Sequence, residues 1–523
     1  MPTGLPSWRT TVPHPAPLLL PGLLLLAGCV WLAWRYPLRA GLQDPRGSWA
    51  TLAGGSWGNL TSHALVYALM SLAVWLAVRR SHAHPVHRIS VWIIGVWCAA
   101  SLILLAVYPG GESHDVFDYL FRGRMIDVRG ISPLLITPNA YPRDPFYAYI
   151  AWYAYVDTYG PLWEYASAGV ARITRAAYSL AGISFTPRAS CPRVEAACGA
   201  LIWQLSGYRV LAIVATGLSA ALIARLVRRT HPQLVATALV FWLWNPLMLI
   251  SMAVGAHNDA LILPLQLGIL LAFGRDRRVA GWLLLAAAAH IKLTALLLLP
   301  VLAIWALRRV GWRAFAEGLL ALAIAAPVSW LLYAPLGGWL TLERMLAERL
   351  LFSANSLAWV VYQALRTLDG WEIEPARELV HRGATALFAL LALVLLWRLW
   401  HRARGAAPAV LVASARDLTL LYLLVGSFWF QPWYLTGALV LTAAVPDARQ
   451  HGPLLIVGCA GALLSNIVGD YLFQLPGKPF DLITIRTLAI FGMVMPLLLL
   501  LTARVLAHHK TTTARAPWRR VRM

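Results

Sequence analysis

The sequence predicts an all-α polytopic membrane protein, on three observations. Hydrophobic residues make up 59% of the 523-residue chain and charged ones 13%, against about 25% charged in an ordinary soluble domain. Uncharged stretches of about 18 or more apolar residues, enough to cross a bilayer as a helix, recur along the chain. The 44 Lys and Arg against 22 Asp and Glu give a net charge of +22. These arginines gather in short segments between the apolar runs, as topology signals do, so the expected partner is membrane lipid and not nucleic acid.

Spans are expected, in order, near Pro17–Trp34, Leu60–Val78, Ser90–Tyr108, Tyr208–Val227, Leu234–Val254, Asn258–Gly274, Ala314–Tyr333, Leu379–Trp397, Val410–Phe430, Pro432–Val445, Pro453–Phe473 and Thr484–Leu506. LLAGC, ending at Cys29, imitates a lipoprotein processing site, but VWLAW continues the apolar run, which favours a retained first helix. Arg79, Arg80 and Arg88, then Arg225, Arg228 and Arg229, then Arg275, Arg277 and Arg278 fall on one side if the N-terminus is inside. Between Arg278 and Arg308 the apolar run is interrupted only by His290-Ile291-Lys292. Arginines at both ends make it a hairpin with those residues at the outer turn and short or partial helices on either side.

That scheme gives about 12 to 14 crossings of a plasma membrane in a single domain spanning 1–523, with both termini cytoplasmic. The loops at 109–207 and 334–378 fall outside, and the basic tail at 507–523 falls inside. Cys191 and Cys198 share the first outer loop and are able to pair there. The inner loops are short and basic, so the chemistry is expected on the extracytoplasmic face.

The scarce acids concentrate in GGESHDVFDYLFRGR, residues 110–124. Glu112, Asp115, Asp118 and Arg122 share one helical face and Val116, Phe117, Leu120 and Phe121 the other, the pattern of a helix lying in the membrane interface. A carboxylate there suits a general base that takes a hydroxyl proton while a lipid phosphate departs, and Asp115 is the first candidate. A departing phosphate needs cations and donors; Lys292, His290, Arg122, His257 and Asn258 are the candidates. Asp259, beside Asn258, and Glu112 join Tyr159 and Trp433 as candidate substrate contacts, the two aromatics by stacking on a sugar ring. Three carboxylates on one helix face could offer oxygens to Mg²⁺ or Mn²⁺ but do not make a cage, so no required metal or other cofactor is expected.

SHDVFDYLFRGR at 113–124, YGPLWE at 159–164, WNPLMLISMAVGAHNDA at 244–260, AAHIKLTALLLLP at 288–300 and FQPWYL at 430–435 follow one another along most of the chain. In that order they resemble the GT-C integral-membrane glycosyltransferases that use a polyprenyl-phosphate sugar, in particular the bacterial α-mannosyltransferase-like branch. The resemblance implies a GT-C fold with an acidic base in the first outer loop, which maps onto Asp115, with Asp118 second. It also implies inverting transfer of a hexose, here mannose, from the lipid carrier to a lipid-linked or cell-envelope glycan. Relatives usually carry Asn-Pro-Tyr after the acidic helix, where this chain has Ser132-Pro133-Leu134; that departure bears on the sugar or the acceptor. A transporter or flippase of lipid-linked saccharides, or a glycan ligase, would share the same outer residues.

Overall fold

The computed structural model describes residues 16–81, 86–182, 195–351, 354–445 and 448–513. The protein is an all-α polytopic membrane protein. Nine helices among the described residues are long and apolar enough to cross a membrane, ten if one bent pair is a single span, and three shorter apolar helices accompany them. The only β pairing among these residues is two isolated bridges, Pro37 with Val107 and Ala354 with Trp429. Cys191 and the tail beyond Thr513 lie outside the described residues.

Several spans differ from the sequence expectation where a local signal overrides hydropathy. The run expected at Leu234–Val254 breaks at Asn245 and bends by 53°. There Pro246 opens the second half and Asn245 accepts the Leu247 N–H at 3.0 Å, an N-cap followed by proline. That half ends in a π turn, Ile250–Val254. The helix beginning at Pro408 stops at Leu421 and also passes through a π turn, Tyr422–Gly426. The segment after it is α-helical only over Leu435–Ala443, preceded by the 3-10 turn Pro432–Tyr434, too short to cross alone. The expected hairpin has its turn at His290-Lys292, but its second limb, Leu293–Val310, is long enough to span.

Two of the three basic clusters, those around Arg225 and Arg275, meet at one end of the bundle. Arg275 lies within the fields of Arg225, Arg229 and Arg277, and Arg309 donates to the Ala406 carbonyl at 2.8 Å. At the opposite end the acidic helix, Asp115–Arg129, starts after the turn Pro109–Gly111 and closes at Gly130, whose φ of 66° is the left-handed cap that glycine favours. It is no surface helix. Val116, Phe117, Leu120 and Phe121 are buried together with Arg124 on the same side, and so are Asp118, Tyr119 and Arg122 on its other side. Its surroundings supply partners: the Ser167 and Tyr208 hydroxyls donate to the Tyr119 carbonyl at 2.9 and 3.1 Å.

Candidate active site

The chain places a cavity of about 350 Å³ against the start of the acidic helix, within the usual size range of small-molecule sites. Glu112, Asp115, Asp118 and Arg122 line one side, Ala151, Trp152 and residues 155–159 a second, and Trp429, Gln431, Trp433 and Tyr434 a third. The three opening acids do not share a face, because the helix begins only at Asp115 and leaves Glu112 in the preceding turn. Each has a different fate.

Asp118 is 3% exposed, and its two oxygens accept the backbone N–H groups of Ala151 and Trp152 at 3.1 and 3.0 Å. Burial pushes its carboxyl up to about 7; Arg122 and the two amides oppose the shift and Asp115 adds to it. Asp118 thereby shapes the loop at 151–152 while bordering the cavity. That loop turns Trp152 so that its indole N–H donates to Asp115 at 3.1 Å.

Glu112 is turned inward. Its oxygens lie 2.9 and 3.1 Å from His257 Nε2, the Ser251 hydroxyl donates to it at 3.3 Å, and the Asn466 amide donates to its carbonyl at 2.7 Å. It is buried and held by these contacts, and it borders the cavity. Burial raises its carboxyl. Burial also lowers the His257 imidazole, but the charge and hydrogen bond of Glu112 outweigh that and raise it on balance. Asp115 is the remaining acid, its side chain 15% exposed and facing the cavity.

The corner that carries His257 is built for close approach. It follows the π turn, a feature frequent at functional sites, and Ala256 sits at φ 51°, a left-handed conformation costly for a residue with a Cβ. A Cβ on Gly255 would come within 2.1 Å of Glu112 Oε2, so only glycine leaves room for the pair. His257 is fully buried and stacks on Trp433 at 3.7 Å and 14°. His257 therefore does not reach the cavity as a phosphate ligand, and one face of Trp433 is already covered. Asn258 is 1% exposed, and neither polar atom of its amide has a hydrogen-bond partner among the described residues.

Lys292 and His290, adjacent at the hairpin turn, part company. Lys292 is 1% exposed, donates to both oxygens of Asp259 at 3.0 and 2.9 Å, and lies 4.2 Å over the Tyr434 ring. Asp259 is thereby a partner for the cation. His290 instead meets the Ser329 hydroxyl at 2.7 Å, pointing away from the cavity, and burial lowers its imidazole. Its backbone matters more. The Gly160 and Leu162 N–H groups donate to the carbonyls of Ile291 and His290, each at 2.9 Å, joining YGPLWE to the hairpin turn. A Cβ at Gly160 would lie 2.1 Å from the His290 carbonyl oxygen.

Arg122 lines the cavity at 4% exposure, with Nη2 donating to the Trp152 and Tyr155 carbonyls at 3.1 Å each, Nε 3.5 Å from the Asp157 carboxylate, and Nη1 without a partner among the described residues. Tyr159 lines it too, its hydroxyl 3.4 Å from that of Tyr119. A second, narrower cleft begins at Asp259, Lys292 and Tyr434 and runs between apolar side chains such as Ile262, Leu297 and Leu423; Tyr434 borders both spaces. Among the described residues no group of three or more His, Cys, Asp and Glu is arranged to hold a metal ion.

A model of the family described as alpha-(1->6)-mannopyranosyltransferase, N-terminal domain, matches residues 19–308. The chain belongs to this family. The matched stretch contains Glu112, Asp115, His257 and Lys292, while Trp433 and Tyr434 lie beyond it. Alpha-(1->6)-mannopyranosyltransferase A of Mycobacterium tuberculosis (strain ATCC 25618 / H37Rv) is 26% identical over 382 residues, covering 68% of this chain and 65% of that protein. The matched region thus spans just under two thirds of that relative's length.

Sequence reasoning missed Trp152, Asn466 and Arg209. Arg209 is fully buried and donates to the carbonyls of Val254, Leu105 and Val107 at 3.0, 2.9 and 2.7 Å, tying the His257 corner to the chain entering the acidic turn. Its signal was present: an arginine inside an apolar helix is costly unless it has partners.

Proposed function

We propose that the protein is a mannosyltransferase that moves mannose from a polyprenyl-phosphate carrier to a hydroxyl of a lipid-linked or cell-envelope glycan. One observation carries the reading: of the three acids of the opening cluster, which all border the cavity, Asp115 is the one not buried, its side chain 15% exposed, while Glu112 and Asp118 are engaged by buried hydrogen bonds. Family membership and the mycobacterial relative's name support mannose as the sugar. Asp115 takes the acceptor's proton as its oxygen attacks the anomeric carbon, and the carrier phosphate leaves from the opposite face, inverting the centre. Trp152 holds Asp115 in place by its indole N–H.

Lys292 and Nη1 of Arg122, which has no partner among the described residues, supply positive charge for the leaving phosphate. The apolar cleft starting at Lys292 and Tyr434 suits the first part of the carrier's hydrocarbon chain. The site lies at the end of the bundle opposite those two basic clusters, which supports an extracytoplasmic active site. No metal takes part in this scheme.

The test is reconstitution of the purified protein with polyprenyl-phosphate mannose, glucose or arabinose, or with a nucleotide-activated mannose, and glycolipid acceptors, with and without EDTA. Transfer from the mannose carrier alone, unchanged by EDTA, is expected. Transfer only from the nucleotide sugar would overturn the donor, and a loss with EDTA that Mg²⁺ restores would overturn the metal-free scheme.

A further inference from the structure

Once Asp115 has taken a proton, that proton needs somewhere to go. His257 Nδ1 lies 3.7 Å from Asp115 Oδ2 and has no hydrogen-bond partner among the described residues, although the ring is fully buried. On the other side of the ring, Nε2 sits against both oxygens of Glu112. An ionised carboxylate only accepts hydrogen bonds, so this contact places the imidazole proton on Nε2 and turns the Nδ1 lone pair toward Asp115. The ring is held by its stack on Trp433, and Glu112 by Ser251 and Asn466.

Resting on the reading of Asp115 as base, we infer that Glu112 and His257 form a proton relay behind Asp115, with His257 the acceptor and Glu112 its positioning residue. The acceptor O–H bond breaks as its oxygen bonds to the anomeric carbon, and the bond from that carbon to the carrier phosphate breaks with the electron pair leaving on phosphate. The proton passes to Asp115 and then to His257 Nδ1, giving an imidazolium that the Glu112 carboxylate stabilises. After product leaves, the proton returns through Asp115 to water in the cavity.

The other titratable or charged groups facing the pair come from four directions. Arg209 and Tyr67 act on Glu112 from the helices Glu195–Thr230 and Trp57–Ser81. Asp259 acts on His257, with Lys292 of the hairpin turn as its partner. Glu112 raises His257 and burial lowers it. Removing the Glu112 charge therefore lets the imidazole titrate at lower pH.

The experiment compares pH profiles of kcat and kcat/KM for the full-length wild type, Glu112→Gln and Glu112→Asp, with thermal melts as a folding control. Wild-type turnover rises with pH on an acidic limb, because the relay needs neutral His257. Glu112→Gln moves that limb to lower pH and lowers its plateau by about 10²-fold, since a neutral amide no longer stabilises the imidazolium. Glu112→Asp keeps the charge, so its limb and plateau fall between the two. A Glu112→Gln limb at the wild-type position with only its height reduced, or an Asp variant no better than Gln, would make Glu112 merely structural and overturn the relay. If Glu112→Gln does not fold, an unmoved limb in Glu112→Asp overturns it. Asp115→Asn run alongside separates the two ideas: an active Asp115→Asn sinks the base, while an inactive one with an unmoved Glu112→Gln limb sinks only the relay.

Discussion

Replacing Lys292 with Met removes a cation that is 1% exposed and within 3.0 Å of both oxygens of Asp259, whose side chain is 14% exposed. The apolar part of the side chain is conserved, so the loss is that of the charge. Breaking one partner out of a buried ion pair costs about 3–5 kcal/mol, and the partial exposure of Asp259 sets the expectation at the lower end, about 3 kcal/mol. Asp259→Asn costs less, because the ammonium keeps the Tyr434 ring at 4.2 Å and an amide oxygen. In the double variant neither charge is left stranded, so a coupling of about 2 kcal/mol is expected, within the range found for contacting pairs. The assay is a double-mutant cycle of unfolding free energies from reversible SDS titration in mixed micelles. Additivity to within about 0.5 kcal/mol would refute the claim that Lys292 is held by Asp259 in a desolvated corner.

Glu164 is fully buried and faces the Asp157 carboxylate with no donor between them unless it carries a proton; burial, then Asp157, holds its carboxyl well above the usual range. Its contribution is present below the unfolded value of about 4.3 and is lost as pH rises toward the folded value, at about 1.4 kcal/mol per pH unit. Wild-type stability should therefore fall more steeply than that of Glu164→Gln between pH 5 and 8; parallel curves would contradict a protonated Glu164. Gly255→Ala should cut turnover by about 10²-fold, because its Cβ would lie 2.1 Å from Glu112 Oε2 and 2.8 Å from His257 Nε2, whereas Gly318→Ala, in open space, should not. Equal turnover of the two variants would show that the close approach is not needed.

The all-helical membrane architecture was legible because hydropathy and arginine placement act over whole segments, where local exceptions average out. The hairpin turn at His290-Lys292 was legible for the same reason: two polar residues interrupt one apolar run. The acidic cluster was located but its geometry was not. Spacing puts Glu112, Asp115 and Asp118 on one face only if the helix already includes Glu112, and the Pro109-Gly110-Gly111 turn delays its start to Asp115. Adjacent residues also hid opposite fates: Lys292 turns to Asp259 and His290 to Ser329, a choice made by distant helices. Contacts such as Asn466 to Glu112, 354 residues apart, leave no local pattern at all.

The central claim is that Asp115 takes the acceptor's proton. Single-turnover transfer from polyprenyl-phosphate mannose by Asp115→Asn, in protein whose melting temperature matches wild type, tests it most directly. The near-isosteric amide keeps the Trp152 indole contact through its oxygen but cannot act as a base, so the rate should fall by about 10²–10⁴-fold with donor binding retained. A rate within a few-fold of wild type would remove Asp115 from the mechanism.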